Sequence, residues 1–259
     1  MLVVVAVKPA GAAAGERALA EHGARVVERR STGGGPLLLF AAASVVEPVV
    51  AALRSAGWAA VARPEAGGHL SAWRANTAPV VVDERLCVCF PWAEFDRASA
   101  PPAVEIDPGR AFGTGAHPST RLLLAELARR VRPGDTVLDV GCGSGVLAVA
   151  AARLGARPVA TDIDPGALAA TARNAAWNET EVGLCEALPP GPFDAVVANI
   201  GAGALVDLAD ALVARTAPGG WIGLSGISPA QVSRVGTAYG RPVEERRDGE
   251  WSALVVSVA

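Results

Sequence analysis

Two carboxylates and a run of alternating glycines carry the chemistry in this chain. Residues 137–145 read VLDVGCGSG: an apolar strand through Asp139 turns at Gly141, Gly143 and Gly145 into the helical residues 146–154. Glycine at Gly141 and Gly143 lets a ligand come within van der Waals reach of the backbone, and ligands of open α/β sheets sit beyond the carboxyl edge of the strands. About twenty residues further on, VATD (159–162) is a second apolar strand ending in an acid, Asp162. A carboxylate there can accept hydrogen bonds from both hydroxyls of a ribose. Glycine turn and acid together point to a nucleoside-bearing cofactor.

A dinucleotide site would show G-x-G-x-x-G, with a helix N-terminus facing a pyrophosphate. Here the spacing is G-x-G-x-G, preceded by Asp139. That form resembles motif I of class I S-adenosylmethionine-dependent methyltransferases, whose cofactor carries an amino-acid tail and a sulfonium and no phosphate. By that resemblance Asp139, Gly141 and Gly143 hold the methionine part, Asp162 the ribose, and Ile163 packs against the adenine. Upstream, DPGRAFGTGAHPST (107–120) is a polar, glycine-rich loop before a helix that begins near His117, suited to closing over a ligand. The succession P-G-x-A-F-G-T-G-x-H-x-[ST]-T, L-D-V-G-C-G-S-G-[IV]-L-A, T-D-I-D-P and V-A-N-I resembles the PrmA family, the methyltransferases of ribosomal protein L11. The similarity covers residues 73–259 in order and spacing.

The resemblance implies a cofactor-binding threonine at Thr120, the first motif glycine at Gly141, the ribose acid at Asp162 and a cofactor-site asparagine at Asn199. Phe112, Thr114 and His117 match the family loop without an assigned role. It further implies S-adenosyl-L-methionine as cofactor, S-adenosyl-L-homocysteine as product, ribosomal protein L11 as protein partner, and a ferredoxin-like N-terminal domain that binds that partner. Methyl transfer to an amine is an in-line displacement, so the protein must align the reacting atoms and present an uncharged nitrogen. Positioning can contribute roughly 7 to 11 kcal/mol. Deprotonating a lysine ammonium near neutral pH costs roughly 4 kcal/mol, which burial and a nearby cation offset. Asn199 can accept a hydrogen bond from the amine and orient its lone pair, whereas His117 either removes a proton or orders the loop. The small residues 200–204 either leave a roomier acceptor pocket or permit close helix packing.

Stepping along the chain, residues 2–7, 12–22, 26–27, 37–40, 44–57 and 58–62 alternate in the order βαββαβ, with Ser44 as N-cap of the second helix. That order is the ferredoxin-like unit. A Pro- and Gly-containing hinge spans 63–68, and the expected division is a recognition domain over 1–63, a linker over 64–76 and a methyltransferase domain over 77–259. A hairpin is expected at 80–82 and 86–90. Beyond it, strands at 137–140, 159–161, 182–185, 195–198 and 221–224 alternate with helix-length segments, and a terminal hairpin follows at 243–247 and 251–258. The fold class is therefore α/β: a seven-stranded Rossmann-like class I methyltransferase domain preceded by a small ferredoxin-like α+β domain.

Composition agrees. Hydrophobic residues make up 51% against 19% charged, which excludes a disordered chain. With 23 basic and 26 acidic residues the net charge of −3 calls for neither nucleic acid nor an anionic membrane. The longest apolar run, 37–46, is too short to span a bilayer. Four scattered cysteines, Cys87, Cys89, Cys142 and Cys185, form no disulfide framework, and with His22, His69 and His117 far apart no metal site is expected. Cys87 and Cys89 read as small apolar packing residues. The expectation is a cytoplasmic, monomeric protein N-methyltransferase acting on lysine, and on N-terminal amines, of ribosomal protein L11. The alternatives are the same chemistry on another protein lysine or a small amine, or a catalytically silent binding module, against which the intact Gly141, Gly143, Asp162 and Asn199 argue.

Overall fold

The computed structural model describes residues 2–7, 11–31, 37–42, 46–63, 79–90, 101–107, 113–241 and 243–259. The expected linker, most of the hinge, Phe112 and the Ser44 cap lie outside the described residues. Two compact units divide the chain: Met1–Pro79 with Cys89–Ala103, and Val80–Val88 with Val104–Ala259.

In the first unit, β1 (Leu2–Val7), α1 (Ala12–Glu21), β2 (Arg25–Ser31), β3 (Leu37–Ala42), α2 (Val46–Ser55) and β4 (Ala59–Arg63) follow in order. The sheet runs β2-β3-β1-β4, every neighbouring pair antiparallel. This is the βαββαβ arrangement with β1 and β3 at the centre. Val3, Val5 and Val7 alternate along β1 and share a core with Leu19, Leu39 and Leu53. A Cβ at Gly15 of α1 would lie 2.6 Å from Val7 Cγ1, so glycine there lets the helix settle directly on the strand.

The second unit is built on a seven-stranded sheet of order β10-β9-β8-β11-β12-β14-β13. Its strands are β8 (Thr136–Val140), β9 (Arg157–Thr161), β10 (Gly183–Cys185), β11 (Phe193–Asn199), β12 (Thr216–Ile227), β13 (Val243–Asp248) and β14 (Trp251–Ser257). The first five of that order pair parallel, and β14 pairs antiparallel with both β12 and β13. Alternate residues face opposite sides: Val137, Val197 and Val255 enter one core, Leu138, Val196 and Leu254 the other. The first core takes in α3 (Pro118–Arg130) and α4 (Val146–Arg153); the second takes in α6 (Ala202–Asp207), α7 (Ala209–Ala214) and α8 (Val232–Tyr239). The remaining helix, α5 (Pro165–Trp177), follows β9.

Two features differ from the expectation. Strand β12 extends well beyond 221–224, running through Pro218, Gly219 and Gly220, and its pairing with β11 shifts register between Phe193 and Ala195. The hairpin β5 (Val80–Asp83) and β6 (Leu86–Cys89) is joined by an unexpected third strand, β7 (Ala103–Glu105), in the order β5-β6-β7. Cys87 and Cys89 are buried within β6. Among the described residues no helix is long and apolar enough to cross a membrane.

Helix α3, which carries Thr120, is fixed at its far end by charge. Buried Glu126 accepts hydrogen bonds from Arg129, from Arg130 and, across the sheet edge, from Arg246 of β13. Burial pushes the Glu126 carboxyl up, but the bonds from Arg130 and Arg129 outweigh it and hold it below its usual value. The Arg130 guanidinium lies 5.8 Å from the Trp221 ring centroid.

Candidate active site

Strand β8 ends at Val140, and the chain turns through Gly141 at φ +75° and Gly145 at φ +81° into α4. A Cβ at Gly141 would fall 2.4 Å from Ile200 Cγ2, and one at Gly145 would strike Thr171. Both the left-handed backbone and the space therefore demand glycine. The turn is tied to the end of β9: Gly141 N–H donates to Thr161 O at 2.8 Å, and Gly143 N–H to Asp162 Oδ2 at 3.0 Å. Asp162 Oδ1 accepts from Asp164 N–H at 2.9 Å, and Asp164 caps α5 by accepting from Gly166 N–H. Each oxygen of Asp162 thus holds one backbone group and retains lone pairs for another donor.

These ends enclose a crevice of about 670 Å³ at the carboxyl edge of the parallel strands. Six of the seven expected site residues line it: Thr120, Gly141, Gly143, Asp162, Ile163 and Asn199. Ile163 is 99% exposed, an apolar side chain left at the rim. Thr120 is wholly buried, and its Oγ1 accepts a hydrogen bond from Asn199 Nδ2 at 3.0 Å, joining α3 to the end of β11. Among the described residues the Asn199 side-chain carbonyl accepts no hydrogen bond and stays available to another donor. Strand order separates two ends, because Asp162 follows β9 on one side of β8 and Asn199 ends β11 on the other. Among the described lining residues there are three carboxylates, Asp162, Asp164 and Glu186, and no Lys, Arg or His.

The seventh expected residue, Asp139, stands apart. It does not line the crevice: its side chain is buried behind the turn, where one oxygen accepts from Ala148 N–H at 3.1 Å and Oδ1 has no partner among the described residues. Burial pushes its carboxyl up to about 7, against the pull of the Ala148 bond and with the Asp162 charge adding to the rise. Burial likewise pushes the Cys142 thiol up to about 12, so this lining residue is no nucleophile at neutral pH. His117 serves as N-cap of α3, its Nδ1 2.7 Å from Ser119 Oγ and its ring edge-on to Trp251 at 4.7 Å. These contacts are ones that order the start of the helix. Thr114 Oγ1 accepts from Ala116 N–H within the same turn. Neither residue lines the crevice.

Some lining residues escaped the sequence reading. Glu186, Ala187 and Leu188 follow β10, the strand expected at 182–185, and the same carboxyl-edge rule applied to that strand points to them. Gly226 presses on the asparagine: at φ +83°, a Cβ there would lie 2.6 Å from Ile200 O and 3.1 Å from Asn199 Oδ1. No spacing in the sequence announces that contact. A second depression, lined by Gly226, Ser228, Gln231, Glu250 and Trp251 among others, shares Gly201 with the crevice.

A family model described as ribosomal protein L11 methyltransferase (PrmA) matches residues 64–258, close to the 73–259 of the motif resemblance. The ribosomal protein L11 methyltransferase of Geobacter sulfurreducens is 43% identical over 224 residues, covering 83% of this chain and 71% of its own. That of Burkholderia cenocepacia is 45% identical over 171 residues, 64% of this chain and 56% of the relative. The crystal structure of a ribosomal protein L11 methylase from Lactobacillus delbrueckii subsp. bulgaricus superposes with a TM-score of 0.64 at 31% identity, covering 70% of this chain and 98% of that one. With sequence, sheet order and crevice in agreement, the chain belongs to the ribosomal protein L11 methyltransferase (PrmA) family, class I methyltransferases that use S-adenosylmethionine.

Proposed function

We propose that this chain, acting in the cytoplasm as a monomer, transfers methyl groups from S-adenosylmethionine to amines of ribosomal protein L11, on lysine side chains and at the N-terminus. The observation that supports this reading best is the Thr120–Asn199 pair, which leaves a neutral amide oxygen at the end of the crevice away from Asp162. In this reading residues 1–63 form the recognition domain, 64–76 the linker and 77–259 the catalytic domain.

The crevice suits a cationic nucleoside. Three carboxylates and no basic group line it among the described residues, a setting that repels a pyrophosphate and favours a sulfonium and an ammonium. Asp162 would hold the ribose hydroxyls, Ile163 and Leu188 the adenine, and Gly141 and Gly143 the methionine tail. Asp139 shapes the turn from behind, its free oxygen open to a proton or a cationic partner. When bound, S-adenosylmethionine supplies a methyl group on a cationic sulfur, open to in-line attack.

The acceptor nitrogen must arrive neutral, at a cost of roughly 4 kcal/mol for lysine near neutral pH. Asn199 Oδ1 accepts one N–H of the neutral amine and cannot itself take a proton, so it orients rather than abstracts. Thr120 sets that orientation by engaging the amide nitrogen, and Gly226 keeps the space beside the oxygen open. Apolar walls from Val140, Ile200, Ala204 and Leu208 limit water and disfavour the ammonium form.

Calorimetric titration with S-adenosylmethionine tests the cofactor site. Wild type should bind, and Asp162→Ala, losing two bonds to a charged acceptor, should bind at least about 100-fold more weakly. Absence of wild-type binding would instead make the chain a silent module. Mass spectrometry of ribosomal protein L11 after incubation with enzyme and cofactor tests the acceptor. Methyl-sized mass increments are expected, and their absence alongside transfer to another amine sinks this substrate.

A further inference from the structure

Strand β7 is an edge strand, and an open edge leaves backbone N–H and C=O groups without partners. Here one helix face supplies them. Asn178, just past the end of α5, accepts from Glu105 N–H at 2.8 Å and donates to Glu105 O at 2.7 Å. Four residues earlier, Asn174 repeats the clasp on Asp107, accepting from its N–H at 3.0 Å and donating to its carbonyl at 3.0 Å. The match is geometric: four helical residues rise about 6 Å, close to the roughly 6.6 Å between alternate residues of an extended strand. Trp177 Nε1–H adds a bond to Glu105 Oε2 at 2.6 Å.

The two asparagines are not equivalent. The Asn174 amide nitrogen also donates to Ser144 O at 2.8 Å, within the glycine turn, and Ser144 Oγ donates in turn to Gly113 O. Gly113 lines the crevice, and the chain runs from it to Thr120. Thr171, on the same face of α5, reaches Gly143 O at 3.3 Å. Asn174 therefore joins three things: Asp107, the turn under the expected methionine site, and through Ser144 the segment that begins at Gly113 and runs to Thr120. Among the described residues Asn178 holds only the strand and its own helix, donating to Asn174 O at 2.8 Å.

We infer that Asn174 is a positioning residue for the methyl-transfer site, setting Asp107 and, through Ser144, Gly113 in register with the glycine turn so that cofactor and acceptor groups meet, whereas Asn178 serves stability alone. The inference rests on the crevice being the cofactor site. Its test compares Asn174→Ala, Asn178→Ala and wild type by calorimetric titration with S-adenosylmethionine and by steady-state methylation of ribosomal protein L11, below the melting temperature of each. Both variants should melt earlier than wild type. Only Asn174→Ala should weaken cofactor binding by about tenfold or more, with a further fall in kcat, because small misplacements of reacting groups are costly. Asn178→Ala should keep the wild-type Kd within about twofold.

Equal Kd values for the two variants, or a wild-type Kd for Asn174→Ala, overturn the inference while leaving the crevice reading intact. Failure of wild type to bind overturns both. Should Asn174→Ala not fold, Ser144→Ala decides: it keeps the Asn174 bond to the Ser144 carbonyl but cuts the links from Ser144 Oγ to Gly113 O and to Val146 N–H, and should weaken cofactor binding in the same direction, and an unchanged Kd refutes the coupling.

Discussion

Replacing Thr120 by valine removes one oxygen and keeps the branched shape, so its effect reads the Thr120–Asn199 bond directly. Thr120 is wholly buried, and its Oγ1 takes the Asn199 Nδ2 hydrogen at 3.0 Å. Losing the acceptor leaves the half-buried Asn199 N–H without that partner, at a cost of about 0.5 to 1.5 kcal/mol. If Thr120 acts by orienting the asparagine, that cost falls on the transition state, and kcat/KM for the acceptor drops roughly 2- to 13-fold. Asn199→Ala should cost at least as much, since it removes the oriented oxygen itself. The deciding measurement is the double variant. Where Asn199 is already alanine, Thr120→Val has nothing left to orient and should cost less than about twofold. Full additivity of the two losses would show that Thr120 works through some other contact, and the orientation argument would fail.

Three further outcomes follow from single contacts. Gly141→Ala places a Cβ 2.4 Å from Ile200 Cγ2 at φ +75°, so it should lose about 1 to 2 kcal/mol to the left-handed backbone and about 1 to 3 kcal/mol to overpacking, seen as a lower Tm with weaker cofactor binding. Glu126→Gln should destabilise the cofactor-free protein by about 1.5 to 3 kcal/mol at neutral pH. Because Glu126 is held below its usual 4.5, its contribution is present above that pH and lost as pH falls, so the variant's acid limb in urea melts should be shallower. Asp139 has the opposite sign. With its carboxyl raised from 3.8 to about 7, the folded chain keeps a proton that the unfolded chain releases, so stability should fall by about 4 kcal/mol as pH rises across that window and level off above it. Urea melts of Asp139→Asn between pH 4 and 8 should lack that slope.

What was legible in the sequence was what local chain geometry forces. Gly141 and Gly143 announce themselves because a strand-to-helix turn beside a ligand admits little else, and Asp162 because an acid ending the next strand has one place to point. The βαββαβ order of the first unit follows from run lengths and turn residues. Asp139 sits in the same motif, and the strand's alternation turns its side chain behind the glycine loop, a placement that the motif alone does not announce. Strand β7 was hidden because three residues after Pro101 and Pro102 give no pattern, and because its free edge is answered by side-chain amides rather than by another strand.

The contacts that set the site were invisible for a different reason. Thr120 and Asn199 are 79 residues apart, and Asn174 and Asp107 are 67 apart. Threonine and asparagine are ordinary in helices and loops, so nothing at either position signals its partner. Each pair becomes meaningful only once the sheet order is known: β11 lies beside β8, which brings Asn199 to the crevice that Thr120 enters from α3. Crevice-lining residues are therefore the legible layer of this fold and the pairings that aim them the illegible one. On that reasoning, a chain could retain every motif glycine and Asp162 and still lose methyl transfer through Asn174 or Thr120.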